Sequence, residues 1–287
     1  MATYRIITDS CSDLTPELIE KLNITVIPLN LLMEGNVRSD SVGEDIKEVY
    51  DALREGKTAS TSALNPDQWA VHMEPALAAG EDLLVMAFSS GLSTTYQSAV
   101  IAATDLAEKY PDRTIRVVDT LCASLGGGLL VYHACKKRDE GLQLDQLAQW
   151  VEENRLKLCH WFTVDDLMYL KRGGRVSAAT ALVGTVLKIK PVLHVDNEGH
   201  LINVSKVRGR KAAIEMLADK MVQTALPGEN DFITICHGDC IEDAQYLAQL
   251  VKERCGVKEV FIGYTGAVIG SHSGPGTLAL FFLGEHR

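Results

Sequence analysis

Through its first half the chain repeats one local unit: a short apolar run, a polar loop, then a segment with helical periodicity. Tyr4 to Thr8 is such a run and closes in Asp9-Ser10, after which Thr15-Pro16-Glu17 reads as an N-cap with proline at the first helical position. Ile24 to Leu29 is a second strand. Ser41-Val42-Gly43-Glu44 is a capping box that opens a helix running to Glu55 and closed by Gly56. Asn65-Pro66-Asp67-Gln68 caps another helix, and Asp82 to Phe88 has the length of a buried strand. Helical periodicity over Thr94 to Tyr110, a strand at Ile115 to Val118 and a helix from Cys122 to Glu140 complete the series. Strands joined through helices pair in parallel, so this half predicts a mostly parallel sheet with helices on both faces.

The texture changes after Arg155. Val192 to Val195, the turn Asn197-Glu198-Gly199 and Leu201 to Val207 read as a β-hairpin, which brings antiparallel pairing. Further strands are expected at Cys159 to Val164, Phe232 to Cys236, Glu259 to Tyr264 and Thr277 to Leu283. A short helix at Asp165 to Tyr169 and longer ones at Lys211 to Ala225 and Ile241 to Arg254 intervene. The prediction is a two-lobed α/β protein, with 1–155 as the mostly parallel lobe and 156–287 as a lobe with a mixed or antiparallel sheet. At 287 residues the chain is long for a single core, which agrees with two lobes.

A net charge of −10 argues against a sequence-independent grip on nucleic acid, where Lys and Arg must neutralise phosphates. The seven cysteines contain no Cys-x-x-Cys pair, a pattern of reduced, buried thiols that points to a cytoplasmic setting. Cys236-His237-Gly238-Asp239-Cys240 has poor metal spacing, so no metal site is expected there. Met1 to Ser10 has no basic and apolar leader pattern, and no segment reaches the ~18 to 20 uninterrupted apolar residues of a membrane span. Stable membrane insertion is therefore not expected.

Three polar segments stand at the edges of apolar elements: Thr61-Ser62-Ala63-Leu64-Asn65-Pro66, Ser89 to Tyr96, and Gly270-Ser271-His272-Ser273-Gly274-Pro275-Gly276. A loop leaving the carboxyl end of a buried strand is where open α/β sheets bind ligands, and Ser89 to Ser93 occupies such a place. A helix starting at Thr94 turns free amide N–H groups toward whatever the loop encloses, which favours an anion. No Gly-x-x-x-x-Gly-Lys-Ser/Thr is present, Gly126-Gly127-Gly128 does not follow a strand as a dinucleotide fingerprint does, and Ser93 is not in a Gly-x-Ser-x-Gly elbow. A serine hydrolase built from Ser93, His272 and Asp9 or Asp119 and a ligand-free interaction module stand as the alternatives to an anion carrier.

Five motifs in order, Thr8-Asp9-Ser10, Thr61-Ser62-x-x-x-Pro66, Ser89-Ser90-x-Leu92-Ser93-x-Thr95-Tyr96-Gln97-Ser98-Ala99, Leu170-Lys171-Arg172-Gly173-Gly174-Arg175 and Ile269-Gly270-x-His272-x-Gly274-Pro275-Gly276, together resemble the bacterial DegV family over nearly the whole chain. That resemblance implies a two-lobed protein that binds one long-chain fatty acid, with the carboxylate between the lobes and the acyl chain buried in the second. It further implies a subunit without catalytic machinery, presenting the lipid to a separate ATP-dependent fatty-acid kinase subunit that makes acyl-phosphate. No cofactor is implied. Thr61, Ser62, Ser93 and His272 match the positions expected around the carboxylate, and Arg172, Arg175 and Arg208 match a surface that meets the kinase. The family usually has glycine where this chain has Thr94; if Thr94 simply starts the helix, its hydroxyl adds a donor.

For the acyl slot the candidate residues are Leu182, Val183, Val186, Leu187, Ile189, Val192, Phe281 and Phe282. The low-charge helix expected over 177–187, bounded by Gly173-Gly174 and carrying Gly184, is the candidate lid.

Overall fold

The computed structural model describes residues 4–40, 45–177 and 189–287. The capping box at 41–44, the lid helix beyond Ser177 and the slot candidates Leu182, Val183, Val186 and Leu187 lie outside the described residues.

Strands β1 (Tyr4–Asp9) and β2 (Thr25–Ile27) open a four-stranded parallel sheet that β6 (Asp82–Ala87) and β7 (Ile115–Asp119) complete, in the order β2-β1-β6-β7. The six-stranded sheet of the second half contains β8 (Leu158–Thr163), β9 (Ile189–Val195), β10 (Leu201–Arg208), β11 (Phe232–His237), β12 (Glu259–Tyr264) and β13 (Leu278–Leu283), ordered β10-β9-β8-β13-β11-β12. Only its β11–β12 pair is parallel, so the sheet is mixed, as the hairpin at 192–207 foretells.

Between the two sheets lies helix α5 (Leu125–Asp139). Its Leu129 and Leu130 pack with Ile6, Leu84 and Met86 of the parallel sheet and with Leu193 and Phe281 of the mixed sheet in one continuous core. Neighbouring residues face the other way, because strand side chains alternate. Ile7 and Val85 meet Trp69 of α3 (Pro66–Ala78) and Leu106 of α4 (Thr95–Lys109) on the outer face of the first sheet. Val192 and Phe282 meet Leu217 of α8 (Arg210–Thr224) and Val251 of α9 (Ile241–Cys255) on the outer face of the second. Glycine lets α5 come this close: a Cβ on Gly128 would stand 2.6 Å from the Ser12 carbonyl oxygen.

The hydroxyl run at Thr58 to Ser62, ahead of the Asn65-Pro66 cap, contains a strand. Here β5 (Ala59–Ser62) pairs with β3 (Asn30–Met33), whose other neighbour is β4 (Asn36–Ser39), in a third, antiparallel sheet. The glycine- and serine-rich segment near residue 270 is likewise helical in part, as α10 (Ala267–Ser273). Among the described residues no helix is long and apolar enough to cross a membrane.

Candidate functional site

The carboxyl ends of β1, β6 and β7 lie side by side, and two of them brace the loop that leaves the third. Asp9 Oδ2 accepts the Phe88 N–H at 2.8 Å, and Asp119 Oδ1 accepts the Ser90 N–H at 3.1 Å. Buried Ser89 donates its hydroxyl to the Gly199 carbonyl in the β9–β10 turn at 3.0 Å, tying the loop to the mixed sheet. Ser93 then closes the loop: its Oγ lies 2.8 Å from Thr95 Oγ1 and accepts the Thr95 N–H at 3.2 Å. Thr94 has φ −81° and ψ 6°, an unstrained conformation next to the helix start, so a β-branched residue is tolerated there. It is exposed.

The second wall comes from β5 and α10. Thr61 Oγ1 stands 2.8 Å from Nε2 of His272. Burial, with the Arg175 charge adding to it, pulls the His272 pKa down to about 4, so the ring is neutral near pH 7. A histidine whose folded pKa is depressed contributes stability that is present above pH ~6.5 and lost as pH falls toward 4. Exchange of His272 for Gln is therefore expected to flatten the stability profile between those values, as denaturant unfolding at stepped pH would reveal.

Arg175 joins the lining. Its Nη2 donates to the Leu92 carbonyl at 3.0 Å and its Nη1 to the Gly173 carbonyl. Among the described residues it has no carboxylate partner, and partial burial lowers its pKa. Expected from sequence on a docking surface, Arg175 is half-buried, its guanidinium held by the 173–175 turn against the serine loop. Arg172 and Arg208 are exposed, Arg172 lying with its guanidinium carbon 5.2 Å from the Tyr169 ring centroid.

These groups line a cavity of about 550 Å³, within the range of small-molecule sites. Thr61, Ser62, Ser93, Thr94, Arg175 and His272 all line it. Leu29, Phe88, Phe162, Val195, Leu201 and Phe281 supply apolar wall from both halves of the chain. Phe281 is thus placed on the cavity, whereas Phe282 and Val192 point into the opposite core, as a period of two requires for residues one place apart on β13 and for the outward register on β9. Ile189 is half-buried and away from the lining.

Sequence reading missed His160. Its Nε2 accepts the Ala123 N–H at 3.2 Å and its Nδ1–H donates to the Leu158 carbonyl at 2.9 Å, which defines the neutral tautomer; burial pushes its pKa well below the usual value. The ring forms cavity wall beside Phe281. Only the alternation along β8 could have signalled it. Ser93 and His272 do not form a nucleophile–base pair, since Ser93 bonds Thr95 and His272 bonds Thr61. Among the described residues no group of three His, Cys, Asp or Glu side chains is placed to hold a metal.

A family model described as an uncharacterised protein of the DegV family matches residues 3–285. A DegV domain-containing protein of Clostridium perfringens is 43% identical over 289 residues, covering 100% of this chain and 99% of the relative. A DegV family protein from Thermus thermophilus, described as fatty-acid-binding, superposes with a TM-score of 0.86 at 32% identity, over 98% of this chain and 99% of that one. A DegV lipid-binding protein from Thermotoga maritima has a TM-score of 0.85 at 30% identity and covers 100% of both chains.

Proposed function

The chain belongs to the DegV family, and on that footing we propose that it binds one long-chain fatty acid, carboxylate at the polar lining of the cavity and acyl chain inside. The observation that carries this reading is the pairing of a half-buried Arg175, which lacks a carboxylate partner among the described residues, with the hydroxyls of Thr61, Ser62 and Ser93 and the neutral imidazole of His272, all lining a largely apolar cavity. One cation against one carboxylate balances charge. A protonated His272 would leave an excess positive charge, which its depressed pKa avoids.

Apolar burial supplies the affinity. Each methylene removed from water gains about 0.8 kcal/mol, so a chain of roughly fourteen offers on the order of 11 kcal/mol before ordering costs. Hydroxyl and guanidinium donors then replace the water around the carboxylate. The finer reading is that a carboxylate oxygen left open to the outside attacks the γ-phosphoryl group of ATP held by a separate kinase subunit, the bond to ADP breaking as acyl-phosphate forms, with Arg172 and Arg208 on the docking surface and no catalytic step assigned to this chain.

Mass spectrometry of the organic extract of natively purified protein, quantified against protein, tests the binding reading. Near-stoichiometric fatty acid is expected; none, with no uptake on incubation, rejects it. Arg208→Glu is expected to leave fatty-acid occupancy unchanged yet slow acyl-phosphate formation by the kinase about tenfold, since an exposed interface charge acts mainly on association. Normal turnover would remove Arg208 from the docking surface.

A further inference from the structure

We propose that Asp40 is a positioning residue for the anion site, setting where His272 stands by tethering the start of α10 to the first half of the chain. The proposal rests on the fatty-acid reading for its functional meaning, but its geometry is independent of any ligand. Asp40 is 4% exposed, yet neither carboxylate oxygen is idle. Its Oδ1 accepts the Val268 N–H of α10 at 3.1 Å, and its Oδ2 accepts the Ser10 hydroxyl at 2.7 Å. The Leu29 N–H donates to the same Ser10 oxygen at 3.0 Å, and the Asp40 N–H donates to the Leu29 carbonyl at 2.7 Å. A single side chain thus links the end of β1, the segment around Leu29 and the first turn of α10.

Two of those segments carry the cavity. Leu29, Val268, Ile269 and His272 all line it. Val268 and His272 stand four residues apart on one helix, hence on one face, and the first N–H groups of a helix have no intrahelical acceptor. A negative charge held against them is favourable for charge and dipole alike. If the helix start shifts, His272 shifts with it, and the 2.8 Å contact of its Nε2 with Thr61 is lost.

Asp40 is faced by the carboxyls of Asp9 and Asp13, the Cys11 thiol, the Ser10 hydroxyl and the amides of Ala267 and Val268, while Tyr50 of α2 (Ile46–Arg54) feels the charge of Asp13 from the far side. Burial is the main cause that lifts Asp40 to about 6 and Asp9 to about 7. For a carboxyl raised in the folded state, the stability contribution is fully present below pH ~3.9 and lost as pH rises through the folded value. The charged form that grips the α10 amides thus predominates above about pH 6, where the fold pays for it.

The test compares full-length wild type with Asp40→Asn, which keeps the shape and one acceptor, after removal of bound lipid. The His272 imidazole resonances are followed by NMR from pH 4.5 to 8, and oleate affinity is measured at pH 5 and pH 7.5. The proposal expects an inflection near pH 6 in the wild-type His272 signals that vanishes in Asp40→Asn, together with oleate affinity about tenfold lower in the variant at pH 7.5 and converging with wild type at pH 5. Identical His272 profiles in the two proteins, or an affinity difference that does not change with pH, overturn it. A wild type that takes up no oleate at either pH overturns the fatty-acid reading instead, and the His272 profiles still decide the role of Asp40.

Discussion

Arg175→Glu is expected to weaken fatty-acid binding by about a hundredfold or more, with the fold retained. The wild-type guanidinium has only the Leu92 and Gly173 carbonyls as partners among the described residues, so its charge is free to meet an anion. Reversal sets a carboxylate against the ligand's own in a partly buried site, and breaking a hydrogen-bonded charge pair costs about 2–5 kcal/mol, where each 1.4 kcal/mol is tenfold. Arg175→Lys retains the charge but loses the two-pronged hold on the carbonyls, so an intermediate loss of about tenfold is expected. Fluorescent fatty-acid displacement, read beside thermal unfolding, separates the two effects. An Arg175→Glu protein that melts normally and binds normally would place the carboxylate elsewhere in the cavity.

Gly91→Val is the second large effect, and it reaches the site through the backbone. A Cβ at Gly91 would stand 2.7 Å from the Glu198 carbonyl oxygen and 2.8 Å from the carbonyl carbon and oxygen of Gly199. These are main-chain atoms of a tight turn in which Gly199 holds φ +79°, so neither partner can swing aside as a side-chain tip would. Forcing them apart is expected to cost about 1–3 kcal/mol, a drop of several degrees in melting temperature at this size. The Ser89 bond to Gly199 parts at the same time, freeing the loop that carries Ser93, so fatty-acid retention falls as well. Gly127→Ala makes the contrast: its Cβ would meet Cys122 Cβ at 3.8 Å, an ordinary contact, and the change favours helix by ~0.8–1 kcal/mol. Equal melting temperatures for Gly91→Val and wild type would refute the account of the loop.

How far the sequence reached depends on the range of the physics involved. Caps, prolines and periodicity act within a few residues, so most of the strand and helix order was legible, as at Asn65-Pro66, where the capping box and the first-turn proline both form, but the short strands β3 and β4 were not. The polar segments were recognisable because hydroxyls and glycines crowd at element edges, and the cavity lining brings Thr61, Ser62, Ser93, Thr94 and His272 together. The strand within Thr58 to Ser62 was not legible, since a run of hydroxyls fits a solvated loop and only pairing with β3 makes it a strand.

By itself, then, the sequence determined the α/β class, the change from parallel to mixed pairing after Arg155 and which short segments carry polar chemistry. The tertiary structure alone decided orientation. Alternation along β13 requires Phe281 and Phe282 to face opposite ways, but which of them meets the cavity depends on where α5 and the outer helices lie. The same holds for Arg175, whose place over the serine loop is set by the 173–175 turn, and for Asp40, whose partner Val268 lies 228 residues away. Local pattern states that a residue has two possible environments; only the packing of distant elements selects one, because burial and hydrogen bonding are properties of what surrounds a side chain and not of the chain on either side of it.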